Sequence, residues 1–219
     1  MKSYYDRQIK LWGEDKQKNL TTKKVAIIGS GGLGCSVALA LSGSGIGEFY
    51  LVDFDEVEIH NIHRQIAFKT SSLNEPKAKV LAELLEDRNP HTKANFFIED
   101  FNSFAKRELI PDLIIDATDN LQARSDIDRF AKKHNIPWIY GSVEEFNAHV
   151  CLFDKKDFSA FKIQDKAPVG IAAPMVMQTA ALQANLALRY LADLSVKSDL
   201  LYFLYFNQEG ELETKKFQL

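Results

Sequence analysis

A chain of 219 residues, 46% hydrophobic and 26% charged, suits one globular domain or one domain with a modest extension. Its net charge of −3, with no long basic run, argues against nucleic acid or a membrane surface as the main partner. There is no 18-residue apolar segment, MKSYYDRQIK has no signal-peptide core, and the two cysteines are too few for a four-cysteine zinc site, so a cytoplasmic protein without a structural disulfide is expected.

In residues 4–19, Tyr5, Ile9 and Trp12 recur at helical spacing and predict a short N-terminal helix with a bend near Gly13. Arg7 falls on its polar side, where periodicity alone makes it a solvated charge. Val25–Ile28 reads as a buried parallel strand. Gly29, Gly31 and Gly34 follow in G-x-G-x-x-G spacing, then a small-residue helix over Cys35–Ser44 and a second strand over Glu48–Val52, ending at Asp53. This is the order of a nucleotide-binding βαβ unit. The glycines allow the tight turn, backbone approach to a phosphate, and close packing of helix on strand. The helix N-terminus offers N–H groups to an anion. Asp53, 19 residues after Gly34, is placed to accept from ribose hydroxyls. These features alone equally suit a nicotinamide-dependent oxidoreductase.

The polar segment from Asp53 to Gln65 starts at the ligand edge of such a sheet and carries Asp55, Asn61, Arg64 and Gln65. The five fixed donors of an arginine there suit a phosphate chain better than a nicotinamide. Pro76 opens a helix over Lys77–Arg88 with Val80, Leu81, Leu84 and Leu85 as its apolar face, stopped by Asn89-Pro90. Lys77 sits in its first turn, where the helix dipole disfavours a cation, which hints at an anionic partner. Residues 94–98 form a third strand, Phe101–Leu109 a short helix or loop, and Asp112–Asp116 a fourth strand that delivers Asp116-Ala117-Thr118-Asp119-Asn120 to the same edge. Asp119 suits Mg²⁺ beside nucleotide phosphates; alternatively Asp119 or Asn120 simply caps the helix Leu121–His134. Strands Ile136–Tyr140 and Asn147–Phe153 form a hairpin, with Cys151 as a buried apolar side chain.

Asp154–Pro168 lacks a clear period and reads as a disordered loop or a flexible crossing segment, reaching at most residue 170. Gly170–Leu194 is a long helix with Met177, Ala181, Ala184, Leu188 and Leu191 on one apolar face. Leu200–Phe206 and Glu211–Phe217 close the chain as a hairpin within residues 199–219. The fold class is α/β: a Rossmann-like mixed sheet, mostly parallel, with antiparallel C-terminal strands.

Six motifs in order, Tyr5-Asp6-Arg7-Gln8-Ile9, Gly29-Ser30-Gly31-Gly32-Leu33-Gly34, Asp53-Phe54-Asp55, Asn61-Ile62-His63-Arg64-Gln65, Pro76-Lys77-Ala78 and Asp116-Ala117-Thr118-Asp119-Asn120, give the chain its family likeness. Over nearly its whole length it resembles the ThiF/MoeB family of ubiquitin-like-protein adenylyltransferases, related to the ubiquitin-activating enzymes. The resemblance implies a single adenylation domain over 1–219. Gly29, Gly31, Gly32 and Gly34 would line the adenosine and phosphates of ATP, with Gln65 and Asn120 beside them. Asp53 would hold the ribose and Asp55 would lie near it. Asn61, Arg64 and Lys77 would bind the phosphate chain, and Asp119 would hold Mg²⁺. Arg7 would reach across a homodimer interface into the partner's site, which reverses the reading from periodicity. Arg7, Arg64, Lys77 and Asp119 are thus the implied catalytic residues.

The implied reaction joins the C-terminal glycine carboxylate of a small ubiquitin-like sulphur carrier with a Gly-Gly terminus, of ThiS or MoaD type, to the α-phosphorus of ATP. Many members of the family carry two Cys-x-x-Cys zinc pairs and a cysteine in the crossing loop. This chain has neither, so no zinc is expected, and adenylation alone, with a separate sulphur donor. Cys35 reads as packing, and Cys151 sits in a strand. Three alternatives stand beside this: a relative that adenylates a tRNA base, for which more basic surface would be expected; a nicotinamide-dependent oxidoreductase; and a non-catalytic half of a heterodimeric activating enzyme.

Overall fold

In the computed structural model, which describes residues 4–161 and 170–219, the run Lys24–Ile28 (β1) stands near the middle of an eight-stranded sheet. Four of its five residues are buried, and that continuous apolar run is what a parallel strand covered on both faces requires. The other strands are Glu48–Val52 (β2), Lys93–Phe97 (β3), Leu113–Asp116 (β4), Trp138–Glu144 (β5), Asn147–Phe153 (β6), Leu200–Phe206 (β7) and Leu212–Gln218 (β8), in the order β3-β2-β1-β4-β5-β6-β7-β8. The first five are parallel and the last three pair antiparallel, as the pattern of alternating strands and helices predicts.

Helices cover both faces. Gly32–Gly43 (α3), Lys77–Arg88 (α4) and Ala173–Leu191 (α7) pack on one side over Val25, Ile27, Leu51, Ile115 and Ile139. Phe101–Ala105 (α5) and Leu121–His134 (α6) cover the other, over Ala26, Ile28, Ile114 and Trp138. The N-terminal segment forms Asp6–Trp12 (α1) and Glu14–Leu20 (α2), bent at Gly13, whose φ of 87° is easy only for glycine.

Several boundaries differ from those read in the sequence. α3 begins at Gly32 instead of Cys35, because the glycine turn itself runs into the first helical turn. β5 continues to Glu144, beyond Tyr140, since its ladder with β6 extends to the pair Glu144↔Asn147. On α7 the buried stripe is Val176, Ala180, Ala184, Ala187 and Leu191, while Met177 is 40% exposed and Ala181 also faces out. Small apolar residues on most of that helix leave its phase open in the sequence; packing on α3, β5 and β6 fixes it one residue away.

Within the expected crossing segment, residues 154–161 are held in place. The Asp199 carboxylate accepts from the N–H groups of Asp154, Lys155 and Lys156, and Phe158 is buried against Trp138, Phe153 and Tyr140. Residues 162–169 of that segment lie outside the described residues.

Candidate active site

Strand order reverses between β1 and β4, and the crevice at the carboxyl ends of those strands is where α/β sheets of this kind bind ligands. Two loops meet there. The turn after β1 holds Gly29 at φ 95°, and a Cβ on it would stand 2.6 Å from the carbonyl oxygen of Ala117, in the loop after β4. A Cβ on Gly34 would overlap the Gly29 carbonyl. Both positions therefore need glycine, one for its dihedral and close approach, the other for helix packing. Around Gly31 there is room: the nearest atom to its would-be Cβ is Gln65 Nε2, at 3.6 Å.

A hydrogen-bonded chain runs from this turn towards α4. The Ser30 N–H donates to Asp53 Oδ2, and the Asp55 N–H donates to Asp53 Oδ1 at 2.8 Å. Lys77 Nζ donates to Asp55 Oδ2 at 2.7 Å, and its backbone N–H donates to the Asp55 carbonyl at 2.9 Å. The Lys77 side chain is only 8% exposed, against 52% for Asp55. Burial pushes the Asp53 carboxyl up from its ordinary value, opposed by the Ser30 and Asp55 N–H groups. Two accepted bonds leave Asp53 capacity for more, since a carboxylate has about four acceptor positions.

Arg64 lies beside Gly32: its Cγ is 3.7 Å, and its carbonyl oxygen 3.3 Å, from where a Cβ on Gly32 would stand. Its Nη1 donates to the His60 carbonyl at 3.0 Å. Asn61 is buried and serves its own turn, with Oδ1 accepting from the Glu58 N–H and Nδ2 3.2 Å from His60 Nε2. Gln65 Oε1 and Ser30 Oγ are buried without a hydrogen-bond partner among the described residues. Both lie next to the glycine turn, where a buried polar atom without a partner is uncommon.

After β4, Asn120 caps α6, its Oδ1 accepting from the Ala123 N–H at 3.0 Å. That satisfies the capping reading for Asn120. Asp119 is exposed and makes no hydrogen bond or salt bridge among the described residues. Beneath it lies a group that sequence reasoning did not single out. Asp116, fully buried, accepts from Arg124 Nε at 3.0 Å and from the Thr118 N–H and hydroxyl at 2.9 and 2.7 Å. Burial pushes its carboxyl up, against the pull of Arg124 and Thr118. An acid ending a buried strand was the available signal; its partner, eight residues on along a helix, could not be paired from spacing alone.

Arg7 is not brought to this crevice. It is exposed on α1, where Gln8 donates to the Ser44 carbonyl at the far end of α3. The 12 residues of α3 place that end about 18 Å from the glycine turn. Cys35 and Cys151 are both buried, and burial pushes each thiol up to about 12, so neither carries a ready thiolate.

A glycine turn at the switch point of a mostly parallel sheet, with Asp53 and Asp55 after β2 and Lys77 bonded to Asp55 beside it, is the arrangement of a doubly wound α/β protein of nucleotide-binding type. The model of the ThiF family matches residues 5–218, and the chain belongs to that family. It is 31% identical over 199 residues to the molybdopterin-synthase adenylyltransferase of Haemophilus influenzae, covering 84% of this chain and 82% of that protein. It is 30% identical over 202 residues to the sulfur carrier protein ThiS adenylyltransferase of Escherichia coli, covering 86% and 80%. Against the longer adenylyltransferase and sulfurtransferase MOCS3 of Dictyostelium discoideum it is 32% identical over 185 residues, 78% of this chain but 44% of that protein. The solved structure of E. coli MccB with AMPCPP and MccA superposes with a TM-score of 0.86 at 21% identity, covering 99% of this chain and 72% of that one; this likeness concerns the fold.

Proposed function

We propose that this chain is an ATP-dependent adenylyltransferase that activates the C-terminal glycine carboxylate of a small ubiquitin-like sulphur carrier of ThiS or MoaD type. The observation that carries the reading is the continuous chain Ser30–Asp53–Asp55–Lys77, which sets a buried cation beside the glycine turn in a member of the ThiF family. The nicotinamide reading requires no such cation and is not favoured by the relatives.

In the reaction a carboxylate oxygen attacks the α-phosphorus, a C–O–P linkage forms, and the bond to the bridging oxygen breaks with its electron pair leaving on pyrophosphate. Two anions must be brought together, so the protein's work is positioning and charge stabilisation rather than proton transfer. The turn at Gly29–Gly34 and the α3 N-terminus receive phosphate oxygens. Asp53 receives the ribose hydroxyls. Lys77 and Arg64 stand against the phosphate chain, with Gln65 and Ser30 along the wall. Asn61 keeps the Arg64 segment in shape through its own turn.

Mg²⁺ suits this site: it takes one or two carboxylates together with phosphate oxygens and water, and Asp119 offers an exposed, uncommitted hard donor. No group of three or more His, Cys, Asp or Glu able to hold a metal occurs among the described residues. When bound, the ion would neutralise phosphate charge. Arg7, about a helix length from its own crevice, would serve a second copy's site in a homodimer. With both thiols buried, sulphur would come from a separate donor. No helix among the described residues is long and apolar enough to cross a membrane.

The test is ATP–pyrophosphate exchange with Mg²⁺, run with a ThiS-type carrier, a MoaD-type carrier and neither. Exchange that depends on one carrier is expected and names the pathway. ATP binding without exchange on either carrier would overturn the reading.

A further inference from the structure

Asp119 has no side-chain bond of its own among the described residues, yet the loop around it is tied from below to β1, β4, β5, α6 and α7 by a network centred on buried Asp116 and Arg124. Asp116, at the end of β4, uses its side chain to accept from Thr118 in the loop and from Arg124 on α6. Its main-chain carbonyl accepts from Gln183 Nε2, on α7, at 2.8 Å. Arg124 then ties the loop to the neighbouring strand: Nη2 donates to the Thr118 carbonyl at 2.6 Å and to the Gly141 carbonyl, on β5, at 3.2 Å. Its guanidinium lies 5.0 Å above the Tyr140 ring. A Cβ at Gly141 would stand where the Gln183 amide does, so a larger residue there would displace the donor to the Asp116 carbonyl. The fifth element is the glycine turn, against which Ala117 is packed, and whose strand accepts the Ala117 N–H at 2.8 Å through Ile28.

This fork is not interchangeable with another cation. Three donated bonds in different directions need the planar guanidinium; a lysine could keep the charge and reach one acceptor. Its geometry bears on Asp119 directly, because Arg124 holds the Thr118 carbonyl, the peptide that leads into Asp119. The negative charge of Asp119 also acts on Arg124.

We propose that Arg124 is a positioning residue: with Asp116, Thr118 and Gln183 it fixes the backbone before Asp119 so that this carboxylate is presented to the metal of the bound nucleotide. The inference rests on the adenylation reading for the identity of that metal, Mg²⁺. Groups that orient a metal ligand from behind typically change metal affinity by about 10–100-fold when altered.

The experiment measures ATP binding by calorimetry across a Mg²⁺ titration, without turnover, for the full chain and for Arg124→Lys, Thr118→Val, Asp119→Asn and the double variant Arg124→Lys/Asp119→Asn, with melting temperatures recorded. Thr118→Val removes one hydroxyl from the lock and keeps the shape, so it stands in if Arg124→Lys does not fold. The expected result is that the Mg²⁺ needed to tighten ATP rises about tenfold or more in Arg124→Lys and less in Thr118→Val. Metal-free ATP affinity should stay within about threefold, and the Arg124 effect should vanish in the Asp119→Asn background, the signature of two residues acting as one. An unchanged Mg²⁺ dependence would overturn the inference alone, as would equal losses with and without metal that follow the melting temperature. If the unaltered protein binds Mg²⁺–ATP but exchanges pyrophosphate with no carrier, the adenylation reading fails while the same titration still decides the role of Arg124. ATP binding indifferent to Mg²⁺ in the unaltered protein would overturn both.

Discussion

Asp55–Lys77 and Asp116–Arg124 flank the same crevice with cations buried to about the same degree, but water reaches the acid of only the first. Asp55 is 52% exposed at its side chain, whereas Asp116 is 0% and Arg124 7% exposed. The open pair has one hydrogen bond between its charged groups, and a phosphate group arriving from solvent can share the lysine. The closed pair is saturated by Thr118, Gly141 and backbone, with no approach for a ligand. Similar chemistry thus serves two ends. A partly solvated pair keeps a cation ready for exchange, and a buried one, costly to form and costlier to break, fixes a backbone.

Breaking the closed pair should have the largest effect. Asp116→Asn leaves Arg124 buried without its counter-charge, and stability should fall by about 3–5 kcal/mol in denaturant unfolding. Breaking the open pair should separate function from folding. Lys77→Ala should reduce pyrophosphate exchange about a hundredfold or more, an electrostatic loss of about 3 kcal/mol in the transition state. Its melting temperature should fall by only a few degrees, because the partner carboxylate stays hydrated. If the two variants lose stability equally, the contrast between the pairs is wrong.

A smaller effect sharpens the role of the crevice floor. Gly34→Ala would push a Cβ into the Gly29 carbonyl and should cost about 1–3 kcal/mol, with weakened ATP binding measured alongside the melt. The smallest effect concerns the thiols. Both are neutral in the folded protein, their values raised to about 12 from an ordinary 9.0, so the folded state keeps protons that the unfolded chain gives up. Their contribution is therefore fully present below about pH 9 and is lost as pH rises from there towards 12. Native protein at pH 8 should react with a thiol reagent only at the rate of unfolding; rapid labelling of either cysteine would contradict their burial.

Much of the crevice was legible in the chain because its parts are local. Gly29 to Gly34 need glycine for reasons of backbone and close packing, and Asp53 follows the second strand at a fixed distance. Lys77 stands against the dipole of its own helix, and its side chain pairs with Asp55. Asn61, expected at the phosphates, is joined in its turn to Glu58 and His60, a local contact that spacing did not suggest. Met177 and Ala181 were set on the wrong side of α7 because small apolar residues on several faces fit more than one phase.

The sequence by itself determined the order of strands and helices, the glycine turn and the acids and cations near it, since each depends on periodicity or on the dihedral freedom of single residues. Tertiary structure alone decided which charges meet. Asp116 finds Arg124 and Gln183, and Arg124 finds Gly141, only because β4, β5, α6 and α7 converge at one point, and Arg7 is carried to the far end of α3 by the packing of α1. Contacts between residues distant in the chain are selected by burial and desolvation, and those forces leave no periodic trace along it.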